Sequence, residues 1–392
     1  MSPDLSVLQV IGTARRGGAE SVGVLLAKEL RDLGARSAVL CCSDGPLRGE
    51  LDDLGVPNFV VRARHVSVLP ALLRLRAIIA RNGFDVVHTH GPKAMLLGNL
   101  AARWAGVPII VTTLHELSSA RPTRTRLYRL YDVVEETLSR RCAECCVAYS
   151  DSVREDALRR GVPAAKLRRI YNGVDTQKFC KIRDAHRIRE GKRRLGLKCD
   201  DVVIGAVGRL IPVKGHGYLI SALRRIRERV PSARVVIAGD GPLRQELARL
   251  AEREGVAASV TFAGDRGDTP LVYNCFDLLV YPSVVGAFGL VLLEAMACGL
   301  PVIASQLNGT TELLTHDETG ILVPPGDCQA LAGAVVSLLL DQERRERLAA
   351  AGHQHVIAHF SARTFARQYL DLYRSLRASR RGVIAPPVAP SP

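Results

Sequence analysis

Two cations in the second half of the chain are spaced to bind a diphosphate. Arg209 and Lys214 follow the apolar run that ends at Val207, and Gly208 and Gly215 stand beside them. A departing diphosphate gains negative charge, so cations and backbone amides must already be in place to stabilise it. Glycines next to the cations let the backbone approach such a group closely. The segment predicts a phosphate-binding loop, with two ordinary surface cations after a strand as the alternative.

Glycine-containing turns stand at further points where a strand gives way to a helix. Gly17 and Gly18 precede the first predicted helix, Gly241 lies in the turn after the strand 234–238, and a third turn leads into a helix that starts near Leu290. Free amides and the dipole at a helix start favour phosphates and sugar hydroxyls. The predicted contacts in the third turn are Ala287, Phe288 and Gly289. Any one of these turns alone is equally compatible with a plain tight turn.

Two kinds of nucleotide site are not indicated. The sequence has no GxxxxGK[ST] motif, which argues against a phosphate-loop ATPase. It also has no Asp-x-Asp pair after a strand, as a metal-held nucleotide would require. We therefore expect no metal ion and no other cofactor, with cations and helix amides in the place of a divalent ion.

The charge of the chain indicates an anionic partner. Its 392 residues carry a formal net charge of +15, which fits nucleic acid, an acidic membrane surface or a phosphorylated ligand. Aromatic residues make up only 5%, and no nucleic-acid-binding module is recognisable, so nucleic acid is not an expected partner. The basic segments 72–81 and 121–141 fit contact with an anionic membrane or a lipid pyrophosphate carrier, with solvated basic helices as an equal alternative.

Cysteine usage and the amino-terminal segment indicate the cytoplasm. The ten cysteines are scattered, and the CxxC formed by Cys142 and Cys145 has no second pair at metal-binding spacing. The first twelve residues, MSPDLSVLQVIG, lack the basic region of a signal peptide and have only a short apolar run. We expect reduced thiols and a cytoplasmic location, with peripheral contact at the inner face of the membrane as an open question.

Apolar strands alternate with amphipathic helices, and the alternation starts twice. In the first half, the predicted strands are 5–11, 37–42, 85–88 and 109–113, followed by the apolar run 145–148. In the second half they are 202–207, 234–238, 259–262, 278–281 and 301–304. This predicts an α/β protein with two Rossmann-like, doubly wound parallel sheets, whose ligands bind beyond the carboxyl ends of the strands. We expect the edges of the two sheets to face each other across a cleft.

The domain boundaries follow from changes in composition. We expect domains at 1–175 and 201–360, joined by a charged linker at 176–200. A helix at 361–380 is expected to pack back on the first domain, and the Pro-rich tail 381–392 is expected to be disordered.

A set of motifs in this order closely resembles family 4 of the retaining glycosyltransferases, which have the GT-B fold. The motifs are RRGGAES, IYNGVD, GAVGRLIPVKG, VVIAGDGPL, YPSVVGAFGLVLLEAMACGLPVIAS and TGILVPPGD, and the resemblance covers nearly the whole chain. It implies that the first domain binds the acceptor and the second binds a nucleotide-sugar donor.

The resemblance also implies roles for individual residues. Arg209 and Lys214 match the arginine and lysine that family members use against the diphosphate. His115 matches a family histidine that contacts the donor sugar near the reaction centre. These three are the expected catalytic residues. Glu294 corresponds to the carboxylate that binds the ribose hydroxyls, while His88 and His90 are expected to be structural or on the acceptor side.

At one position the sequence departs from the family. The family motif has two glutamates separated by seven residues, and the position of the first is occupied here by Gly286. That carboxylate normally lies by the donor sugar. Glycine offers no acceptor for a sugar hydroxyl, so three outcomes are open: a slow enzyme, a donor with different requirements, or a chain that has lost catalysis.

The combined interpretation is a retaining hexosyltransferase. We expect transfer from a UDP- or GDP-linked sugar to a glycan or lipid-linked acceptor, in the synthesis of cell-surface polysaccharide or lipopolysaccharide. Two alternatives stay open. The first is a nucleotide-sugar-binding protein with lost or reduced catalysis, motivated by Gly286; the second is a sugar-nucleotide epimerase of similar fold.

Overall fold

The chain divides into two compact units of similar construction. The computed structural model describes residues 5–14, 17–63, 68–114, 133, 137, 141–286 and 288–380. The first unit runs to Gly173 and resumes at Ala362, and the second runs from Val174 to Ser361. The helix at the carboxyl end therefore belongs to the unit that contains the amino-terminal half of the chain.

The first unit has a seven-stranded sheet with the order β3-β2-β1-β4-β5-β6-β7, and all neighbouring strands are parallel. The strands are β1 (Ser6–Ile11), β2 (Arg36–Cys41), β3 (Asn58–Val60), β4 (Val86–His90), β5 (Ile109–Leu114), β6 (Cys145–Ala148) and β7 (Leu167–Arg169). Its described helices are α1 (Gly18–Asp32), α2 (Leu47–Asp53), α3 (Val68–Asn82), α4 (Pro92–Ala94), α5 (Leu100–Trp104) and α6 (Asp151–Arg159), with a π-helical segment at Met95–Asn99.

The second unit has a six-stranded parallel sheet with the order β10-β9-β8-β11-β12-β13. The strands are β8 (Val202–Val207), β9 (Ala233–Ala238), β10 (Val260–Gly264), β11 (Leu278–Tyr281), β12 (Val302–Ser305) and β13 (Ile321–Val323). The helices are α7 (Ala185–Arg194), α8 (His216–Arg229), α9 (Arg244–Arg253), α10 (Thr269–Asn274), α11 (Leu290–Ala297), α12 (Asn308–Thr311), α13 (Cys328–Leu340) and α14 (Gln342–His359). The last helix of the chain, α15 (Ala362–Arg380), returns to the first unit.

Both sheets therefore have the doubly wound order. From the first strand of each sheet, successive strands are added on one side and later strands on the other, so the direction of strand order reverses beside that first strand. That reversal lies between β1 and β4 in one unit and between β8 and β11 in the other. Helices leave such a sheet toward opposite faces on the two sides of the reversal, which opens a crevice at the carboxyl ends of those strands. The prediction of two Rossmann-like parallel sheets is confirmed.

The segment expected as a charged linker, 176–200, is instead part of the second unit. It contains α7, which the Asp184 side chain caps by accepting bonds from the amides of His186 and Arg187. A Cβ added to Gly191 would meet Cys275 Sγ at 2.7 Å, so the helix packs closely on the body of the unit. The charges that suggested a linker form the solvated side of an amphipathic helix.

The carboxyl-terminal helix is held on the first sheet by a buried polar network. Tyr373 Oη lies 2.7 Å from His88 Nδ1, and His88 Nε2 lies 2.7 Å from Thr113 Oγ1. The same threonine hydroxyl lies 3.0 Å from Tyr369 Oη. All four side chains are buried, and a buried polar group without a partner is costly, so each member stabilises the placement of the others.

The helices were also compared with the requirements for crossing a membrane. Within the described ranges, every helix is either too short or too polar to span a bilayer.

Candidate active site

The loops after β8 and β11 carry most of the predicted donor-binding residues of the second unit. Arg209 and Lys214 lie between β8 and α8. Gly286, Phe288 and Gly289 lie between β11 and α11, and Leu290 is the first residue of α11. Since β8 and β11 are neighbours at the reversal of strand order, the fold brings these two loops to one edge of the sheet.

Three glycines in these loops cannot be replaced without moving the backbone. Gly215 has φ +65°, and a Cβ there would collide with the carbonyl oxygen of Pro282 in the β11 loop. Gly239, after β9, has φ +139°, and a Cβ there would collide with the carbonyl oxygen of Gly208. Gly241 would place a Cβ 2.6 Å from the carbonyl oxygen of Leu210. Close approach of three neighbouring loops therefore explains why the sequence has glycine here.

Hydrogen bonds fix the loops against one another. The Val284 amide donates to the Val213 carbonyl at 3.0 Å, and the Ser283 hydroxyl donates to the same oxygen at 2.8 Å. On the other side, the Leu210 amide donates to the Asp240 carbonyl at 2.9 Å. The cations are thus carried by a rigid edge, which is what a preorganised anion site requires.

Lys214 contacts Tyr281, the last residue of β11. Its Nζ donates to the tyrosine hydroxyl at 3.3 Å and lies 5.3 Å from the centre of the ring. Lys214 is half-buried and Tyr281 is buried, whereas Arg209 is exposed. One cation is therefore held by a neighbouring side chain, and the other is exposed to solvent.

A Cβ can be added at Gly286 without a collision. A Cβ built there would lie 3.5 Å from the Tyr281 hydroxyl and 3.7 Å from Ser283 Oγ, which are ordinary contacts, and its φ is not in the left-handed region. Nothing in the local backbone requires glycine at this position. The departure from the family is therefore a change of chemistry and not of conformation.

The rest of the β11–α11 loop packs on residues of its own unit. Gly289 is the amino-terminal cap of α11, which starts at Leu290, and a Cβ on Gly289 would meet Leu292 at 3.0 Å. Phe288 is buried, and its ring centre lies 5.9 Å from that of Phe360. The Phe288 side chain therefore packs into the second unit, and the predicted contact through the backbone amides of this turn stays a prediction. Ala287 lies outside the described residues.

Glu294 lies in α11 and faces the interior more than the resemblance suggested. Its Oε2 accepts a hydrogen bond of 2.6 Å from the hydroxyl of Tyr273, a fully buried residue of α10. Burial raises the pKa of the Glu294 carboxyl to about 7, against the opposing effects of the Tyr273 hydrogen bond and the charge of Lys178. A carboxyl with this pKa is about half ionised near pH 7 and mostly ionised at higher pH, and the predicted contact with the ribose hydroxyls stays a prediction.

His216, the first residue of α8, was not predicted as part of the site. It is 4% exposed, and burial lowers the pKa of its imidazole to about 4, so it is neutral at physiological pH. The ring lies beside the backbone of Gly208 and Arg209. A histidine directly after the Lys-Gly pair was the available signal, and the sequence reasoning did not use it.

The predicted contacts from the first unit are less favourable to a phosphate. Gly17 caps α1 and Gly18 is its first residue, but the carboxylate of Glu20 occupies the first turn and accepts a bond of 3.0 Å from Thr13 Oγ1. A negative charge already satisfies the positive end of that helix dipole, so these glycines suit a sugar hydroxyl better than a phosphate.

The histidines of the first unit separate into two groups. His88 and His90 are buried in β4, and His90 Nε2 lies 2.8 Å from Gln9 Oε1. Their bonds within the sheet and to α15 identify them as structural. His115, the predicted contact to the donor sugar, lies outside the described residues and stays a prediction.

Groups of potential metal ligands were also sought. In the parts of the chain that the structure describes, three or more His, Cys, Asp or Glu side chains do not come together as a metal site. The expectation of metal independence stays a prediction.

Comparison with known proteins agrees with this architecture. Residues 16–178 match the model of Glycosyltransferase Family 4, and residues 188–355 match that of Glycosyl transferases group 1. The chain is 30% identical over 312 residues to the UDP-Gal:alpha-D-GlcNAc-diphosphoundecaprenol alpha-1,3-galactosyltransferase of Escherichia coli, covering 78% of this chain and 80% of that one.

Two further similarities extend over most of the chain. A GDP-mannose-dependent alpha-(1-6)-phosphatidylinositol monomannoside mannosyltransferase of Mycobacterium tuberculosis is 31% identical over 340 residues, covering 82% of this chain and 84% of that one. Crystal structures of Anabaena Alr3699/HepE include a complex with UDP-glucose, which superposes with a TM-score of 0.83 at 26% identity over 95% of this chain and 100% of that one. The chain is a glycosyltransferase that belongs to family 4 and has the GT-B fold.

Proposed function

We propose that this protein transfers a hexose from a UDP- or GDP-linked sugar to a glycan or lipid-linked acceptor, with retention of the anomeric configuration. The observation that carries the proposal is the edge of the second sheet, where Arg209 and Lys214 lie on a loop locked against the loops after β9 and β11. The charge that develops on a departing diphosphate needs such fixed cations and amides.

The relatives support both halves of the reaction. One is named for UDP-Gal and another for GDP-mannose, and Anabaena HepE was crystallised with UDP-glucose, so the nucleotide is UDP or GDP. The names of the first two specify a diphosphoundecaprenol and a phosphatidylinositol acceptor. An acceptor that carries phosphate and lipid suits the net charge of +15. The role is then in cell-surface polysaccharide, lipopolysaccharide or glycolipid synthesis.

The proposed reaction needs no metal ion. Arg209 and Lys214, with the amides of the loops, supply the charge stabilisation for which other nucleotide sites use a divalent cation. Transfer should persist at full rate after treatment with a chelator. A loss of activity that Mg²⁺ or Mn²⁺ restores would contradict this part of the proposal.

A surface of the first unit fits contact with an anionic membrane, and we place the enzyme at the inner face of the bilayer. Leu69 and Leu73 of α3 are 61% and 46% exposed, and Trp104 of α5 is 50% exposed. Arg76 lies over the indole ring with 4.8 Å between its Cζ and the ring centre. Neither helix contains an acidic residue. Exposed leucines and a tryptophan among arginines are suited to the interface of an anionic bilayer.

Sedimentation with lipid vesicles tests this surface. The wild type should bind vesicles that contain phosphatidylglycerol and not vesicles of phosphatidylcholine alone, and binding should fall at high salt. Leu73→Ser and Arg76→Gln should each weaken binding severalfold. Leu340→Ser is the matched control, because Leu340 is 59% exposed in the second unit. Equal binding by all variants would exclude this face.

The reaction itself is tested with the purified protein and an acceptor extract. Incubation with radiolabelled UDP- and GDP-sugars should transfer label to a lipid-extractable or glycan product, with release of the nucleoside diphosphate. Binding of a nucleotide sugar without any release of nucleotide, under every acceptor condition, would contradict the proposal.

One observation favours a second candidate, a nucleotide-sugar-binding protein without turnover. The carboxylate that the family resemblance implies is absent at Gly286, although a Cβ there would make only ordinary contacts. Gly286→Glu separates the two functions: if only the substituted protein turns over donor, the natural chain is a binding protein. If the wild type turns over, the enzyme works without this carboxylate. No observation in the described residues favours the epimerase.

A further inference from the structure

Tyr281 is the residue at which the two loops of the candidate site meet. It is 4% exposed at the end of β11, and its hydroxyl lies 3.3 Å from Lys214 Nζ. The same hydroxyl is 3.5 Å from the position of a Cβ on Gly286. Among the described residues within 4 Å of that Cβ, the other polar side chain is Ser283, whose hydroxyl already donates to the Val213 carbonyl at 2.8 Å. The group next to the position of the missing carboxylate is therefore the one that holds Lys214.

The contact between Tyr281 and Lys214 has two parts. The ammonium donates to the hydroxyl, and the ring centre lies 5.3 Å from Nζ. A lysine side chain has four rotatable bonds, so an unrestrained ammonium loses entropy when a ligand fixes it. A hydroxyl and an aromatic face restrain the ammonium beforehand, and neither neutralises its charge.

A carboxylate at position 286 would act on the same lysine in a different way. The Cβ of such a side chain would lie 3.5 Å from the Tyr281 hydroxyl, and that hydroxyl lies 3.3 Å from Lys214 Nζ, so a glutamate at this position is long enough to reach the ammonium. An ion pair would then compete with the diphosphate for Lys214. With glycine at this position, the lysine keeps its full charge for an incoming anion.

We propose that Tyr281 is a positioning residue that holds Lys214 ready for the donor diphosphate, and that Gly286 leaves this lysine unneutralised. Compared with a chain that has a carboxylate at position 286, this protein should bind the diphosphate more tightly. This inference rests on the proposed function, because it takes the donor diphosphate as the ligand of Lys214.

A double-mutant cycle on nucleotide binding tests the inference. The proteins are the wild type, Tyr281→Phe, Lys214→Ala and the double variant, titrated by calorimetry with UDP and with GDP. Loss of the hydroxyl should weaken binding of the preferred nucleotide about fivefold in the wild-type background. It should have almost no further effect once Lys214 is alanine, because the tyrosine acts through the lysine.

The control is Tyr218→Phe, which removes a hydroxyl from a tyrosine that is 37% exposed in α8. It should leave binding unchanged. Thermal unfolding of each variant shows whether the fold is intact. Phenylalanine keeps the ring of Tyr281 in the core, so unfolding temperatures should stay close to that of the wild type.

Gly286→Glu provides an independent measurement. The added carboxylate should weaken binding of the nucleoside diphosphate alone severalfold, whatever it does to transfer of the sugar. Tighter binding of the nucleoside diphosphate by Gly286→Glu would overturn the inference.

The remaining outcomes are also decisive. Equal losses from Tyr281→Phe with and without Lys214 would show that the hydroxyl acts by itself, and unchanged affinity would show that it has no role. Either result overturns this inference while leaving the proposed function intact. A wild type that binds no nucleoside diphosphate would overturn both.

Discussion

The two units share one strand order but use the space beside their middle strands differently. In the second unit, the loops after β8 and β11 are in close contact because Gly215 has no side chain. Arg209 is exposed there and Lys214 is half-buried. In the first unit, one face of β4 and β5 is covered by α15, whose tyrosines bond to His88 and Thr113. The comparison shows that one fold carries two accessible cations at the edge of one sheet and a buried polar network on the other sheet.

The largest effect should come from breaking the glycine contacts of the second unit. Gly239→Ala forces a Cβ into the carbonyl of Gly208 at a φ of +139°, so we expect a loss of about 3 kcal/mol or more in the free energy of unfolding. Urea unfolding measures it.

Gly333→Ala is the matched control for this substitution. Gly333 is exposed in α13 and has nothing within 4 Å of its Cβ position, so alanine there should be neutral or stabilising by about 1 kcal/mol. Similar stabilities for the two variants would show that the loops of the second unit are not locked.

The second largest effect should come from breaking the buried polar network between α15 and the first sheet. Tyr373→Phe removes the partner of His88 Nδ1 in a fully buried setting, so the free energy of unfolding should fall by about 1 to 3 kcal/mol. Chemical denaturation checks this, with Tyr218→Phe as the exposed control. An unchanged stability would mean that α15 is held by its apolar contacts alone.

The smallest expected effect is the pH dependence of donor affinity in the second unit. If the Glu294 carboxylate accepts the ribose hydroxyls, its pKa of about 7 means that donor affinity falls as the pH drops below 7. Between pH 8 and pH 6 the affinity for UDP-glucose or GDP-mannose should decrease about tenfold. Nucleotide sugars are the right probe because their diphosphate does not titrate in this range.

Glu294→Gln is the control for the pH dependence. It should bind the nucleotide sugar more weakly at pH 8 and with little dependence on pH. The raised pKa also has a sign for stability: the folded state holds this proton more tightly than the unfolded state does, so the free energy of unfolding falls as the pH rises from the ordinary pKa of 4.5 to about 7 and then levels off. The glutamine variant should therefore lose less stability between pH 5 and pH 8. A pH dependence that survives the substitution would assign it to another group.

Much of this fold was predictable from the sequence because the alternation of strands and helices is strong in both halves. The strands that were missed, β3, β7 and β13, have three residues each and lie at the edges of the sheets. A run of three residues is too short for a periodic pattern. The helix α7 was missed because its composition is dominated by charge, and only its packing on Cys275 and Leu271 shows that it belongs to the second unit.

The candidate site was predictable in part. The motifs identified the loops that contain Arg209, Lys214 and Gly286. The strand order then places these loops together, because they follow the neighbouring strands β8 and β11. The motifs did not show that the Phe288 side chain packs into the second unit, that Glu294 pairs with Tyr273, or that Tyr281 holds Lys214. Those contacts join residues that are far apart in the chain, and a single sequence carries no information about such pairs.

The central claim is that the loop after β8 binds a nucleoside diphosphate, and calorimetric titration of UDP and GDP into two variants tests it most directly. Arg209→Ala and Lys214→Ala should each weaken binding by about 1 to 3 kcal/mol, as expected for a lost charge-assisted contact. Arg224→Ala, which removes an exposed charge from α8, should leave binding unchanged. Affinities in the two loop variants equal to that of the wild type would remove both residues from the site and contradict the account.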